Sequence, residues 1–298
     1  MKLHSKDYKA YAALSVAMLF WASSFIVFKI SFRFYNPFFI IWGRMLTASV
    51  VFLFFIKKLS HEKIYKSDIK YLLLIGIFEP GIYFIFELLA LMNTDAAQAG
   101  MITSLNPLLV AIASYFILKE DIGISTIAGM IIASAGVILL SITGEPSAYS
   151  PNPLLGNFFE FIAMIAASFY TIILKKLSSR YSTLFLTAIQ SFTGLVFFSP
   201  FLLIHDVFPV KFSAPGIFSI IYLGVFISGI AYGCYNYAVA EIPANKAAAT
   251  VNMIPVICLV MAVTVLGEKF NRLQIASSFI VVAGVYISQY RKKILPEF

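Results

Sequence analysis

The chain has 298 residues, of which 60% are apolar and only 12% charged, and its mean hydropathy is +0.90. A soluble globule of this size needs far more polar surface, so the composition puts the chain in a lipid bilayer. The net charge of +8 does not mark a nucleic-acid binder, because the basic residues sit in short loops and near the ends of the chain.

A spanning helix needs about 20 mainly apolar residues. On that measure the sequence predicts ten spans, at 11–28, 37–56, 71–91, 96–118 and 122–142, then 154–174, 183–204, 214–240, 247–266 and 273–290. The first follows a basic start, but it is too long for the apolar core of a cleaved signal peptide and has a counterpart later in the chain. Between the fifth and sixth spans runs Gly144-Glu145-Pro146-Ser147-Ala148-Tyr149-Ser150-Pro151-Asn152-Pro153, a stretch rich in proline and turn residues. The expected organisation is therefore a first unit at 1–143, a linker at 144–153 and a second unit at 154–298. Cys234 and Cys258 both fall inside apolar segments, where packing rather than a disulfide framework is their role.

The two units are copies. Shifted by 148 positions, 72–140 lies over 220–288 without a gap: Gly76 meets Gly224, Gly81 meets Gly229, Pro107 meets Pro255 and Glu120 meets Glu268. A duplicated intramembrane unit points to a transporter, in which two related halves rock about a shared central site. Lysines and arginines set the orientation. With the N-terminus cytoplasmic, sixteen lie inside, among them Lys57, Lys58, Lys63, Lys66, Lys70, Lys175, Lys176 and Arg180. Five lie outside: Lys29, Arg33, Lys211, Lys269 and Arg272. Both termini are then expected in the cytoplasm. Five spans per unit is an odd number, so the second unit enters from the opposite side and the repeats are inverted. The predicted fold is an all-α polytopic membrane protein with ten transmembrane helices in two inverted five-helix repeats.

Several of these stretches resemble a known family. Trp21-Ala22-Ser23-Ser24 with Lys29, then Arg44, then the run 96–107 leading to Lys119-Glu120, and a second copy at 244–255 with Leu266-Gly267-Glu268, are similar to the drug/metabolite transporter superfamily in its bacterial EamA-type branch. The resemblance covers nearly the whole chain. It implies a metabolite transporter, often an exporter of amino acids or related compounds, with other members moving nucleotide sugars or phosphorylated sugars. It also implies that helices one to four and six to nine enclose the path, with five and ten peripheral. Helix three departs from a generic member in Phe78-Glu79-Pro80 and Glu87.

Charges inside hydrocarbon cost several kcal/mol unless paired or wetted, so each is a candidate for function. Arg44 sits in helix two, Glu79 and Glu87 in helix three. Regular helical geometry puts Glu79, Tyr83 and Glu87 on one stripe. Arg44 has two readings: a counter-ion locked to one of those glutamates, or a fork for a substrate carboxylate or phosphate. Its counterpart is Gln190, so one cation faces two acids, and the spare one, Glu87 first and Glu79 second, sits where a proton is favoured over a charge. Glu160 is expected near the outer interface, and Glu120 and Glu268 are expected to cap helices. Pro107 and Pro255 each remove a backbone donor mid-span and are hinge candidates, with Ser104, Asn106 and Asn252 as nearby polar groups. Tyr232, Tyr235 and Asn236 share a face of helix eight, and Tyr235 is the repeat counterpart of Glu87. Such a pocket, acidic on one side and phenolic on the other, suits a zwitterionic or cationic metabolite. Gly129, Ala133, Gly136, Ala276, Ala283 and Gly284 allow close helix approach, for packing or a homodimer.

The expected function is a secondary transporter of a small polar organic metabolite across the cytoplasmic membrane, export favoured, coupled to a proton or a counter-substrate. No catalytic residue, metal ligand or cofactor is expected, and no nucleic acid partner. The rival is a membrane enzyme using the intramembrane carboxylates; it lacks HExxH, GxSxG and P-loop motifs, and His4, His61 and His205 all lie outside the spans.

Overall fold

The computed structural model of the chain describes residues 5–118, 123–147 and 150–289. The expectations for Lys119, for Glu120 and for the basic tail fall outside these residues. Among the described residues the main helices follow the expected order: α1 (Ser5–Ser31), α2 (Pro37–Leu53), α3 (Lys66–Asn93), α4 (Ala96–Ile117) and α5 (Ile124–Ile142), then α6 (Pro153–Leu177), α7 (Thr183–Leu203), α8 (Ala214–Glu241), α9 (Ala244–Leu266) and α10 (Arg272–Ser288), with a single helical turn at Ile56–Leu59 between α2 and α3. Eight are long and apolar enough to cross a membrane, whereas α2 and α10 are shorter. The chain is an all-α, multi-pass membrane protein. Its backbone polar groups are bonded within helices, as hydrocarbon requires, and among the described residues the sole β pairing is one bridge between Ser147 and Ser150 in the linker.

Local sequence sets several helix starts. Asn36 accepts a hydrogen bond from the Phe38 amide at 3.0 Å, with Pro37 in the first turn of α2. Asn152 does the same for Leu155 at 3.2 Å ahead of Pro153. Both follow the usual preference for an asparagine cap and a proline whose missing N–H costs nothing there.

The repeats match in their irregularities as well as their helices. A π-helical stretch at Ile77–Ile82 in α3 is repeated at Leu223–Ala231 in α8. A 3-10 turn at Thr103–Leu105 in α4 is repeated at Thr250–Asn252 in α9. Each 3-10 turn lies just before the matched prolines, and the cause is local. Pro107 has no N–H for the Thr103 carbonyl, and the Asn106 amide takes its place with the shorter spacing.

Packing crosses between the halves. The second part of α3 and the body of α4 both pack on α6, and in the same way α8 and α9 pack on α1. The α2–α7, α4–α9 and α5–α10 pairs complete this two-fold arrangement. In the last pair the backbones touch. A Cβ on Gly129 would lie 2.3 Å from the Ser288 amide nitrogen, and one on Gly284 would lie 2.3 Å from that of Ala133. The small residues of the two helices therefore serve contact within one chain, the close approach that membrane helices use in place of a hydrophobic driving force. Large apolar side chains such as Phe116, Ile131 and Phe279 are exposed on the outside of the bundle, where lipid is their solvent.

Candidate functional site

A central cavity lies between the two halves. Arg44 from α2, Glu79, Tyr83 and Glu87 from α3, Thr103 and Asn106 from α4, and Trp21, Ser24 and Phe25 from α1 line it on one side. Met164, Ala167 and Thr171 from α6, Ile227, Tyr232 and Tyr235 from α8, and Val251 and Ile254 from α9 complete it. The described residues of α5 and α10 contribute nothing to this wall. The space left is about 40 Å³, room for about three waters at roughly 10–15 Å³ of centre space each.

The break in α3 places Glu79. Its backbone is extended (φ −148°, ψ 112°) inside the π-helical stretch, so Glu79, Tyr83 and Glu87 are not three points on one regular helical stripe as the sequence suggests. They reach the same cavity because the chain bends there. The Tyr232 hydroxyl donates to Glu79 Oε1 across the cavity, which ties α8 to α3. One turn on, the Tyr83 hydroxyl donates to Glu87 Oε1 at 2.9 Å, while Glu87 Oε2 is buried without a partner.

Arg44 departs from its expected pairing. It is 1% exposed, yet forms no ion pair with Glu79 or Glu87; the ion pairs among the described residues are Arg180 with Asp68 and His205 with Asp206. Instead Nε donates to Ser228 Oγ at 2.7 Å, and the guanidinium lies 4.0 Å over the Phe84 ring, a favourable place for a desolvated cation. Ser228 occupies the repeat position of Pro80, so the bend in α8 carries the hydroxyl that orients the cation of the first half. The terminal guanidinium nitrogens hydrogen-bond to no protein group among the described residues. Charge counting identified the cation but not its neighbours, because a guanidinium satisfied by a hydroxyl and a ring leaves no trace in a count of carboxylates.

The remaining residues divide into wall and support. Tyr232 and Tyr235 both face Trp21, with ring centroids 5.0 and 4.9 Å away, and the Tyr235 hydroxyl is 3.1 Å from Thr171 Oγ1. Asn236 does not line the cavity. It sits behind, its amide nitrogen donating to Thr187 Oγ1 at 3.0 Å and its oxygen 2.6 Å from the Tyr170 hydroxyl. Tyr170 also lies 3.1 Å from Gln190 Oε1. Ser104 is turned back on its own helix, donating to the Met101 carbonyl at 2.6 Å. Asn252 lies off the cavity, its side-chain amide without a partner. Pro107 and Pro255 follow the matched 3-10 turns and are absent from the wall. Sequence reasoning missed Trp21, Thr171 and Tyr170 among many aromatic and hydroxyl residues; repeat registration against Ser24, which Tyr170 matches at a shift of 146 positions, would have flagged the last. It also misplaced Glu160, which is 0% exposed on α6 with neither oxygen hydrogen-bonded.

A second, wider cavity of about 530 Å³ opens at the end of the bundle that carries the linker, bordered by Lys29, Asp95, Glu145, Glu268 and Asn271 among others. Here Glu268 accepts from the amides of Ala96 and Ala97 at 2.9 and 3.1 Å and so caps α4, the role expected for it. Burial pushes the Glu268 carboxyl up, against the pull of the amide bonds, and burial pushes Asp95 up as well, against nearby Lys29.

Comparison with known proteins agrees with this architecture. The model of the EamA-like transporter family matches residues 8–142 and again 154–290, one match for each repeat. The chain is 28% identical over 299 residues to the uncharacterized transporter YetK of Bacillus subtilis, covering 98% of this chain and 90% of that one. It is 29% identical to an uncharacterized transporter of Archaeoglobus fulgidus, covering 94% and 98%. To a probable terminal-alkyne amino-acid exporter of Streptantibioticus cattleyicolor it is 24% identical, covering 95% and 94%. A solved crystal structure superposes with a TM-score of 0.67 at 17% identity over 94% of this chain and 96% of that one, a likeness of fold. With both halves matched by the same family model, the chain belongs to the EamA-like transporter family.

Proposed function

We propose that this transporter moves a small zwitterionic metabolite, an amino acid or a related compound, by alternating access across the cytoplasmic membrane, with export favoured. The ten helices are read as two inverted five-helix repeats with both termini cytoplasmic and the linker outside, on the strength of the loop charges. The observation that carries the substrate class is the mixed cavity wall: one guanidinium with free terminal nitrogens, two carboxylates and a cluster of aromatic rings. A substrate carboxylate suits the planar fork of Arg44, and an ammonium suits Glu87 and the ring faces of Trp21 and Tyr235. Phosphorylated sugars and nucleotides fit less well, since carboxylates outnumber the cation. Family membership sets the membrane-enzyme alternative aside.

At about 40 Å³ the cavity holds water but no organic solute, so loading requires the two halves to move apart. The π-helical stretches of α3 and α8, and the turns before Pro107 and Pro255, are where we place that bending. The sequence has no P-loop, so uphill work is assigned to a proton or a counter-substrate, with Glu87 as the proton carrier because one of its oxygens is unpartnered beside the cavity. Metabolite profiling of cells with and without the protein, followed by counterflow of the hits in proteoliposomes, tests the substrate class. Saturable counterflow of neutral amino acids is the expected result, and counterflow confined to phosphorylated solutes would replace it. Single cysteines at Ser60 and Ser147, in a background lacking Cys234 and Cys258, test the orientation; labelling from the same side would overturn the inverted arrangement.

A further inference from the structure

Glu160 takes no part in the cavity wall, yet it is the most completely enclosed acid in the described chain. It is 0% exposed and neither oxygen has a hydrogen-bond partner, and Glu87, 3% exposed, leaves Oε2 without one. The two residues sit on α6 and on the second part of α3, which pack against each other. Three of their four carboxylate oxygens are thus buried and unsatisfied, a costly arrangement unless a positive species is shared between them. Holding two unpaired carboxylate charges in one dry helix interface is more costly still, and a proton on one of the acids relieves it. Of the titratable groups on the neighbouring helices, Glu79 and Tyr83 on α3, Tyr232 and Tyr235 on α8 and Arg44 on α2 share the cavity wall with Glu87, and Cys258 is buried on α9. The described parts of α4 and α5 present no charged group to the pair.

Position along α6 gives the pair a direction. One turn from Glu160 toward the linker end is Asn157, which receives a hydrogen bond from Thr94 at 2.8 Å and donates to Gln98 at 3.0 Å. Gln98 in turn donates to Asp95 at 3.2 Å, and Asp95 borders the wide vestibule. One turn from Glu160 the other way is Met164, in the wall of the central cavity. Glu160 therefore stands between a polar ladder that begins at the vestibule and the carboxylate that lines the substrate cavity.

We propose that Glu160 and Glu87 form a proton-carrying dyad, loaded from the vestibule through Glu160. In the transfer the O–H bond on Glu160 breaks and one forms on Glu87, so the negative charge passes from Glu87 to Glu160; Glu160 then takes a second proton from the vestibule, and Glu87 loses its proton when the cavity opens to the opposite side, so that the pair alternates between two protons and one. The neutralised Glu87 then releases its hold on the substrate ammonium on the vestibule side, which couples proton arrival to substrate release. This deepens the transporter reading and rests on it.

The test uses the full-length protein with Glu160→Gln, and Glu160→Asp in case the amide disturbs folding. In lipid nanodiscs, infrared spectra are recorded in H2O and D2O. In proteoliposomes, an equimolar mixture of labelled neutral amino acids is followed in counterflow without a pH gradient and in accumulation driven by one. We expect the wild type to show a buried protonated-carboxyl band, with one component lost in Glu160→Gln and shifted in Glu160→Asp. We expect Glu160→Gln to lose gradient-driven accumulation while keeping counterflow. An unchanged band together with retained gradient-driven accumulation in Glu160→Gln would overturn the dyad. Absence of counterflow in the wild type would instead overturn the amino-acid reading, while the infrared result still decides whether the pair holds a proton.

Discussion

The two repeats share a backbone and differ in chemistry. Matched π-helical stretches and matched 3-10 turns show that the bends were already part of the duplicated unit. At equivalent positions, though, Glu87 faces Tyr235, Phe84 faces Tyr232, Pro80 faces Ser228 and Arg44 faces Gln190. Within the cavity wall the first half supplies the charges, and the second supplies hydroxyls that orient or satisfy them: Tyr232 bonds Glu79, and Ser228 bonds Arg44. An isolated first half would bury those groups unsatisfied, at about 1–3 kcal/mol for each one. The duplicated frame provides the places where helices bend, and divergence of the side chains provides what the cavity recognises.

If the charged half drives coupling, the largest effect comes from Glu87. Glu87→Gln should fold nearly normally, since the amide still accepts from Tyr83, but transport should lose its pH dependence. Wild-type export, driven by protons entering from outside, should quicken as the outside is acidified between about pH 8 and pH 5.5, and the variant should respond flatly. A variant that keeps the wild-type profile would leave Glu87 a structural role. Glu79→Ala should come next. It strips the buried Tyr232 hydroxyl of its acceptor and should cost about 1–3 kcal/mol, read as a lowered melting temperature in detergent; an unchanged melting curve would mean that the two halves are not joined there.

Effects in the second half should be smaller. Tyr235→Phe removes one hydroxyl contact to Thr171 and should cost about 0.5–1.5 kcal/mol, seen in apparent affinity because Tyr235 lines the cavity. Asn236→Ala should lower thermal stability more than affinity, since Asn236 supports Tyr170 and Thr187 from behind. The reverse split would move Asn236 into the wall. Ser104→Ala, whose hydroxyl bonds only its own helix, should change stability by less than about 0.5 kcal/mol and leave transport intact.

What the sequence made legible follows from which properties are periodic. Hydropathy located the apolar helices, eight of them long enough to cross a membrane, and repeat registration predicted that Pro107 and Pro255 occupy matched places. Arg44, Glu79, Tyr83, Glu87, Asn106, Tyr232 and Tyr235 were singled out as charges in hydrocarbon or polar groups on one face, and all line the cavity. The failures lie where backbone direction or helix placement decides. The extended residue at Glu79 defeats helical-wheel reasoning on α3. Glu160, two turns into its helix, reads as interfacial by depth alone, but α6 runs between α3 and α4 and is buried there. Asn236 shares the general face of Tyr232 and Tyr235, yet a small rotation of α8 aims it at α7.

The central claim is that Arg44, held by the second repeat, receives the substrate in the first. Counterflow of a labelled neutral amino acid mixture by purified wild type, Arg44→Gln and Gln190→Ala tests it most directly. Saturable counterflow is expected in the wild type, with its loss in Arg44→Gln while the protein stays monodisperse, and its survival in Gln190→Ala. Wild-type counterflow with unchanged apparent affinity in Arg44→Gln would contradict it.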